Sequence, residues 1–341
     1  MAAPDWYASK EALVAIEKFH NDFARQPPEM EEAKNRHVVI MNELENHLKR
    51  ERETKMINRM EFTGSAYEGL KVGIKELEFD VMFIFNDGQL LKVEKDATSN
   101  RYGHLTPINP DAEAKFKSVT ENGEVVPMRV RSKFHSELQK WLNKRESDTP
   151  KLRGEIKIFY SGPAIRATVH RNGKEWYFVD LVPAYEVKNG YKKELYVAKP
   201  RGNDDTLWRH SLSVEEKSKL NSIDGPDNGC RKKIVRILKV VRDSEAGLKK
   251  MVSFYIKILI IEMTDRTPAL DWSQKNLAVR LQDVLLEMVD HMEKGVLNHP
   301  FCEDSNILQE LSPAVRQNIA SRLKKIATNV KTAKSVFKCS S

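Results

Sequence analysis

Residues 77–85 read Leu77-Glu78-Phe79-Asp80-Val81-Met82-Phe83-Ile84-Phe85. The spacing predicts a strand over Glu78–Phe85 that ends at the turn signal Asn86-Asp87-Gly88. On a strand, residues two apart share a face, so both carboxylates project one way while Phe79 and Val81 face a core. Adjacent carboxylates repel unless a proton or cation lies between them. Magnesium takes oxygen ligands, typically a few carboxylates with phosphate and water. A merely exposed strand face, its acidic row extended by Glu76, would give the same pattern, so the pair gains meaning only with companions.

Two companions exist. Upstream stands Thr63-Gly64-Ser65-Ala66-Tyr67-Glu68. Glycine lets backbone approach a ligand closely, and a neighbouring serine can donate to phosphate. If Ser65 opens a short helix, its free N–H groups add to that anion site. Downstream, Asp180 is the only acid in Trp176-Tyr177-Phe178-Val179-Asp180-Leu181-Val182. An aspartate in a sheet is costly unless paired or coordinated, although Pro183 also allows a strand-end reading. A Gly-Ser turn, a Glu-x-Asp strand and a lone Asp on a later strand together match what two-metal phosphoryl transfer requires.

Around these signals the chain reads as follows. A helix is expected from Glu11 to about Arg59, broken near Gln26-Pro27-Pro28, with Val38, Met41, Leu44 and Leu48 as its second apolar stripe. Arg101 to Gly123 reads as an irregular polar insertion, and Lys133–Lys144 as a helix. Ile156–Tyr160, Ile165–His170 and Trp176–Val182 read as strands, the last two joined by the hairpin signal Arg171-Asn172-Gly173. Beyond about Arg201 the pattern is helical, at Ser213–Leu220, Cys230–Arg242, Gly247–Thr264, Leu277–Lys294 and Pro313–Lys334. Strands followed by helices predict an α+β lobe over 1–200 and a helical lobe over 201–341.

Bulk properties limit the classes. The 341 residues are 40% hydrophobic and 31% charged, a globular composition. The formal net charge of +8 suits polyanionic partners, and equally a solvated basic surface. Cys230, Cys302 and Cys339 are far apart and form no Cys/His cluster, so neither a disulfide framework nor zinc is expected. Reduced thiols fit a cytoplasmic protein, and the N-terminus lacks the apolar core of a signal peptide. Met251–Met263 is the most apolar run. It contains Lys257 and is shorter than the roughly 20 residues that cross a bilayer, so no membrane partner is expected.

The combination of Gly64-Ser65, Glu78, Asp80 and Asp180 resembles the cyclic GMP–AMP synthase-like receptors, the animal branch of the nucleotidyltransferase superfamily that makes cyclic dinucleotides. The resemblance runs from about Phe62 to the C-terminal helices. It implies a bilobal nucleotidyltransferase fold, with a mixed-sheet N-lobe behind a long N-terminal helix and a helical C-lobe. It further implies that Glu78, Asp80 and Asp180 are catalytic and hold Mg2+ or Mn2+, and that Gly64 and Ser65 form the nucleotide loop. Trp208-Arg209-His210-Ser211-Leu212-Ser213 is similar to a Trp-Arg-x-Ser-x-Ser stretch in which the arginine and serines hold nucleobases. Arg209, Ser211 and Ser213 take that role by the resemblance, with Glu216 assisting, while either serine also suits a helix N-cap. Lys239, with Arg236 as the competing position, matches a lysine that contacts triphosphate. Ser253 and Phe254 match a phosphate-binding and base-stacking pair, with Phe254 where tyrosine is usual.

The zinc-binding thumb of the vertebrate DNA sensor is missing from Asp224-Gly225-Pro226-Asp227-Asn228-Gly229-Cys230. The resemblance therefore favours double-stranded RNA as activator, with ATP and GTP or other nucleoside triphosphates as substrates and a dimer induced by ligand. Double-stranded RNA is read by shape, phosphate and 2′-hydroxyl contacts, so a basic face suffices. The candidates for that face are Lys49, Arg50, Arg52 and Lys55, with Lys232, Lys233 and Arg242, and more weakly Lys324, Lys325, Lys331 and Lys334. Two alternatives stay open: a synthase of linear 2′-5′ oligonucleotides on the same core, and a non-catalytic binding or scaffold protein of the same fold.

Overall fold

A run of apolar residues that is buried on both faces belongs inside a sheet rather than at its edge, and Leu77–Phe85 is paired on both sides in the computed structural model. The structure describes residues 6–50, 56–73, 77–162, 164–199, 205–225 and 229–337, with Arg50 described in its backbone only. The chain opens with α1 (Lys10–Phe23) and α2 (Met30–Arg50). Strand β1 (Ile57–Thr63), one-turn helix α3 (Gly64–Tyr67) and β2 (Leu77–Phe85) follow. Next come β3 (Leu91–Asp96), β4 (Ser99–Pro107), α4 (Pro110–Phe116), the short β5 (Thr120–Glu121) and β6 (Glu124–Val125), and α5 (Pro127–Asp148). The strands β7 (Ile156–Ser161), β8 (Ala164–Arg171), β9 (Lys174–Asn189), β10 (Lys192–Val197) and β11 (Leu207–Ser211) complete the sheet. The helices α6 (Ser213–Asp224), α7 (Arg231–Ser244), α8 (Ser253–Arg266), α9 (Leu277–Lys294), α10 (Pro313–Thr328) and α11 (Val330–Val336) end the chain.

Two compact units form, and the chain passes between them more than once. One holds Pro28–Tyr67 and Ile74–Val214; the other holds Met1–Pro27, Glu68–Gly73 and Glu215–Ser341. A single boundary at 200/201 was expected. Instead α1 packs with the C-terminal helices, because its buried Ala12, Ile16 and Phe19 share a core with Ile234, Ile237 and Leu281.

In the first unit, the sheet runs β1-β2-β9-β10-β11-β4-β3, with β8 also pairing β9 and β7 pairing β8. Among the described residues only β2 and β9 are parallel; the other pairs of this sheet are antiparallel, which makes it mixed. Phe79, Val81 and Phe83 share a core with Ile40, Met41, Leu44 and Phe134 of α2 and α5. Met82 and Ile84 enter a smaller cluster with Val182, Ala184, Leu195 and Val197.

Several local expectations are corrected. The helix expected to reach Arg59 ends at Arg50 among the described residues, and Ile57–Thr63 is a strand paired with β2. The region 101–123 is not irregular: it carries most of β4, then α4 and β5. Residues 207–211 form a strand between β10 and β4, anchored by the fully buried Trp208. The helix expected from Gly247 begins at Ser253, and Pro313–Lys334 is divided at Asn329, whose side chain accepts from the Thr332 N–H and starts α11. In the second unit α8 is apolar almost all round, with Ile256, Ile258, Leu259, Ile260 and Ile261 buried. Among the described residues no helix is long and apolar enough to cross a membrane.

Candidate active site

Strand pairing brings the sequence-predicted acids together. Asp80 on β2 stands in register with Asp180 on the parallel β9, and on its other side with Thr63 on β1. Glu78 lies two residues earlier on β2, hence on the same face. Across β9, Asp180 is paired with Arg166 on β8. A row therefore crosses four strands, Arg166, Asp180, Asp80, Thr63.

Gly64 follows Thr63 directly. Its φ of +76° lies in the left-handed region, and a Cβ placed there would stand 1.9 Å from Asp80 Oδ2. Only glycine permits this approach. Ser65 comes next, inside the single turn of α3. The sequence expectation that the Gly-Ser turn and the acids belong to one place thus has a geometric basis for Gly64 and Asp80.

Arg166 engages two of the acids. Its Nε donates to Asp180 Oδ1 at 2.8 Å and its Nη2 to Asp180 Oδ2 at 3.2 Å. The same Nη2 donates to Glu78 Oε1. The guanidinium also lies 5.4 Å from the centre of the Phe178 ring. Lys199 is a further cation close by: burial lowers the pKa of its ammonium and the Arg209 charge adds to that, against the pull of Asp80, Asp180 and Glu78. Three carboxylates on two adjacent strands are an oxygen donor set suited to a hard divalent cation. Among the described residues no three acidic, histidine or cysteine side chains converge as a metal-ligating group; Glu78 and Asp180 converge on Arg166 instead.

Arg209 sits on β11, paired with Val197 and Tyr102. Ser211 and Ser213 share a hydrogen bond, Oγ to Oγ, at 3.0 Å. Neither is an interior helix residue: Ser211 ends β11 and Ser213 begins α6.

The helical unit holds the other candidates. Lys257, the only charged residue in the 253–261 stretch of α8, donates to Glu216 Oε2 at 2.6 Å and to Glu68 Oε1 at 2.8 Å. His299 Nε2 donates to Glu216 Oε1 at 2.9 Å, and its Nδ1 accepts from the Phe301 N–H, which sets the tautomer. All four side chains are buried. Burial opposes ionisation of Glu216, but the hydrogen bonds from His299 and Lys257 and the Lys257 charge outweigh it and push its carboxyl down to about 2. Both oxygens of Glu216 are therefore engaged within this unit. Phe254 lies beside His299, ring centres 5.9 Å apart and planes 26° off parallel, and Ser253 opens α8.

Lys239 is buried rather than presented to solvent, and its ammonium donates to the Leu70 carbonyl at 2.8 Å. Burial, with Lys71 and Arg242 nearby, brings its pKa down to about 8. Arg236 donates to the Gly69 carbonyl at 2.7 Å. Three cations of α7 and α8, Arg236, Lys239 and Lys257, thus hold residues 68–70.

The basic candidates for nucleic acid divide between the units. Lys49 ends α2 and pairs with Glu45 at 2.6 Å. Lys232, Lys233 and Arg242 lie on α7, where Lys232 donates to Asn221 and Arg242 to Asp243. Arg52, Lys55 and the side chain of Arg50 lie outside the described residues.

Sequence reasoning passed over Arg166, Lys199, Glu68 and His299 as site residues. Lys257 had a usable signal, since a lone charge in an apolar helix must find a partner when buried. His299 had none, since Glu216 lies 83 residues before it; Arg166 had a partial one, since Asp180 is 14 residues on across the expected hairpin while Glu78 lies 88 residues earlier.

A mixed sheet with in-register acids beside a glycine turn, followed in sequence by a run of helices, defines a nucleotidyltransferase fold. The Mab-21 protein nucleotidyltransferase domain matches residues 66–222, and the Mab-21 protein HhH/H2TH-like domain matches 230–325. The chain belongs to this Mab-21 family, and to the cyclic GMP–AMP synthase-like nucleotidyltransferases within it. It is 29% identical over 284 residues to cyclic GMP-AMP synthase-like receptor 3 of Stylophora pistillata, spanning 79% of this chain and 81% of that protein. It is 25% identical over 303 residues to a cyclic GMP-AMP synthase-like receptor of Nicrophorus vespilloides, spanning 82% and 81%. It is also 30% identical over 140 residues to mitochondrial dynamics protein MID51 of Danio rerio, spanning 40% of this chain and 29% of that protein.

Proposed function

We propose that this chain is a cytoplasmic innate-immune sensor that, when double-stranded RNA binds it, joins two nucleoside triphosphates, such as ATP and GTP, into a cyclic dinucleotide. The observation that carries this reading is the packing of Gly64 against Asp80, with Asp80 in register with Asp180 and Glu78 on the same strand face. A Gly-Ser turn pressed against paired acids is what a triphosphate and an attacking hydroxyl need side by side. The names of the receptors of Stylophora pistillata and Nicrophorus vespilloides agree with the reading.

In this reading Glu78, Asp80 and Asp180 hold Mg2+ or Mn2+, which when bound neutralise triphosphate charge and acidify the attacking ribose hydroxyl. The carboxylate nearest that hydroxyl accepts its proton. Ser65 donates to phosphate, and the missing side chain at Gly64 keeps this backbone close to the acids. Arg209, Ser211 and Ser213 orient nucleobases, while Ser253 and Lys239 serve phosphate and Phe254 offers a stacking face. Lys239 gives one of its three N–H donors to Leu70 in the described arrangement, which leaves two for phosphate.

The test is incubation of the full chain with all four nucleoside triphosphates, Mg2+ or Mn2+, and double-stranded RNA or DNA, followed by product mapping. A cyclic dinucleotide supports the reading, and a linear 2′-5′ oligonucleotide replaces it with the oligonucleotide-synthase alternative. A second reading, a nucleotide-binding protein of the same fold without turnover, is favoured by one observation: the Arg166 guanidinium on Glu78 and Asp180. Nucleotide binding with no product under any of these conditions selects it.

A further inference from the structure

We propose that Arg166 is a resident counter-cation that competes with divalent metal for Glu78 and Asp180, so that metal loading requires its guanidinium to let go. The proposal rests on the reading of these acids as metal ligands. It adds a residue which that reading does not use and a condition on when the site fills.

Glu78, Asp80 and Asp180 stand on adjacent strands, two of them in direct register. Carboxylates so placed do not all stay ionised without a nearby positive charge. Arginine meets that need permanently, since it is not deprotonated in proteins, and its planar fork matches a carboxylate edge. Here the fork is used: Nε and Nη2 take one oxygen each of Asp180, and Nη2 reaches on to Glu78.

The delivery is built into the sheet. β8 pairs with β9 on the side opposite β2, and Arg166 is the residue opposite Asp180. The guanidinium crosses over β9 to reach Glu78 on β2, and Phe178 supports it from below. Phe178 is the register partner of Glu78 and lies two residues before Asp180 on the same face. A side chain held by a strand pair, an aromatic ring and two carboxylates is not a casual surface contact; Arg166 and Asp180 are both mostly shielded from solvent, at 22% and 15% exposure.

The consequence follows from electrostatics. A divalent ion approaching these oxygens meets a fixed positive charge already bonded to three of them. Metal alone must displace it, whereas metal arriving with a triphosphate brings negative charge that offsets the repulsion and offers the guanidinium another acceptor. The site should therefore take metal weakly alone and well with nucleotide.

The experiment is a Mn2+ titration, read by the electron paramagnetic resonance signal of free Mn2+, on the full chain and on R166Q, R166K and R166Q/D180N. Without nucleotide, R166Q is expected to bind Mn2+ at least about ten-fold more tightly than the wild type, R166K less so, and the double variant without the gain. A non-hydrolysable ATP analogue should narrow the gap between wild type and R166Q. In EDTA, R166Q should melt below the wild type and recover with Mn2+, a shift that lost packing alone would not produce. Equal or weaker Mn2+ binding by folded R166Q overturns the proposal. If R166Q does not fold, R166K decides it, and wild-type affinity in that variant overturns it. No Mn2+ binding by any of these proteins, with nucleotide present, overturns the metal reading of the acids itself, a result distinct from an unchanged affinity.

Discussion

Gly64 and Asp80 touch where no side chain could fit between them: a Cβ on Gly64 would stand 1.9 Å from the Asp80 carboxylate. Gly64→Ala must also hold a φ of +76°, which costs an L-residue about 1–2 kcal/mol. The variant is expected to melt several degrees lower and to lose most nucleotidyl transfer, while Ser65→Ala keeps its stability and loses less activity. Calorimetry beside the product assay checks both, and a fully active, fully stable Gly64→Ala would show that this backbone is not confined against the acid.

Asp180→Asn should abolish product formation and leave the fold intact. Removing the charge of one metal-holding carboxylate is expected to cost several kcal/mol at the transition state. Glu78→Gln combined with Asp80→Asn should behave alike. Near-normal turnover by a folded variant removes the residue concerned from the site.

The Lys257 cluster gives a stability prediction independent of catalysis. Lys257 bonds Glu68 and Glu216, and His299 takes the other oxygen of Glu216, all out of solvent. Lys257→Met leaves two buried carboxylates without their cation and should cost about 3–5 kcal/mol. Urea unfolding measures this, and a loss under about 1 kcal/mol would mean the cluster opens to water. Glu216→Gln keeps one accepting oxygen and turns an NH2 donor toward the other partner, so either Lys257 or His299 loses its acceptor and a loss of about 1–3 kcal/mol is expected.

Acid should destabilise the fold through His37. Its ring stacks on Phe79, centres 4.5 Å apart, and neither ring nitrogen has a hydrogen-bond partner among the described residues. Burial lowers its pKa to about 3 from an unperturbed 6.5. The unfolded chain takes up this proton first, so stability is full above about 6.5 and falls as the pH drops toward 3, by about 1.4 kcal/mol per pH unit. His20, lowered to about 4 mainly by burial and then by Arg236, adds a second slope that ends earlier. His37→Phe should roughly halve the stability lost between pH 7 and 5 in urea titrations; an unchanged slope contradicts the assignment.

Double-stranded RNA should stimulate synthesis more than double-stranded DNA of equal length. If contacts are mainly to phosphate, stimulation falls steeply between about 50 and 200 mM salt and depends little on sequence. Charge reversal at Lys232 and Lys233 of α7, or at Arg50 and Arg52, should weaken it and spare basal turnover. Equal or greater stimulation by DNA, or none by either, overturns this choice of activator and leaves the transferase reading standing.

How much was readable in advance depended on whether the signal was local. β2 and β9 were legible because alternation and a lone acid survive in the chain itself. β1 was not: only Ile57 and Thr63 at its two ends are buried, so no alternation appears, and the preceding charged helix seemed to run on. β4 does alternate, with Gly103, Leu105 and Pro107 buried, but two of those three residues ordinarily signal a break. The acids could be grouped from spacing. Arg166 could not, because the contact that matters lies across β9 and 88 residues away, at Glu78. Lys239 was placed correctly on a helix, yet its bond to a carbonyl 169 residues earlier cannot be seen from α7.

The Tyr7 hydroxyl donates to the Ile326 carbonyl, 319 residues further on, and Phe19 and Trp6 both pack on Phe337. During synthesis, then, Trp6, Tyr7 and α1 leave the ribosome long before Ile326 and Phe337, which complete their packing. Until those residues follow, the apolar stripe of α1 has α7 and α9 to pack on and is incompletely covered. A ribosome stalled before α10 would leave α1 with α7 and α9 but Trp6, Tyr7 and Phe19 short of Ile326 and Phe337, and such a truncated product should be less stable than the full helical unit.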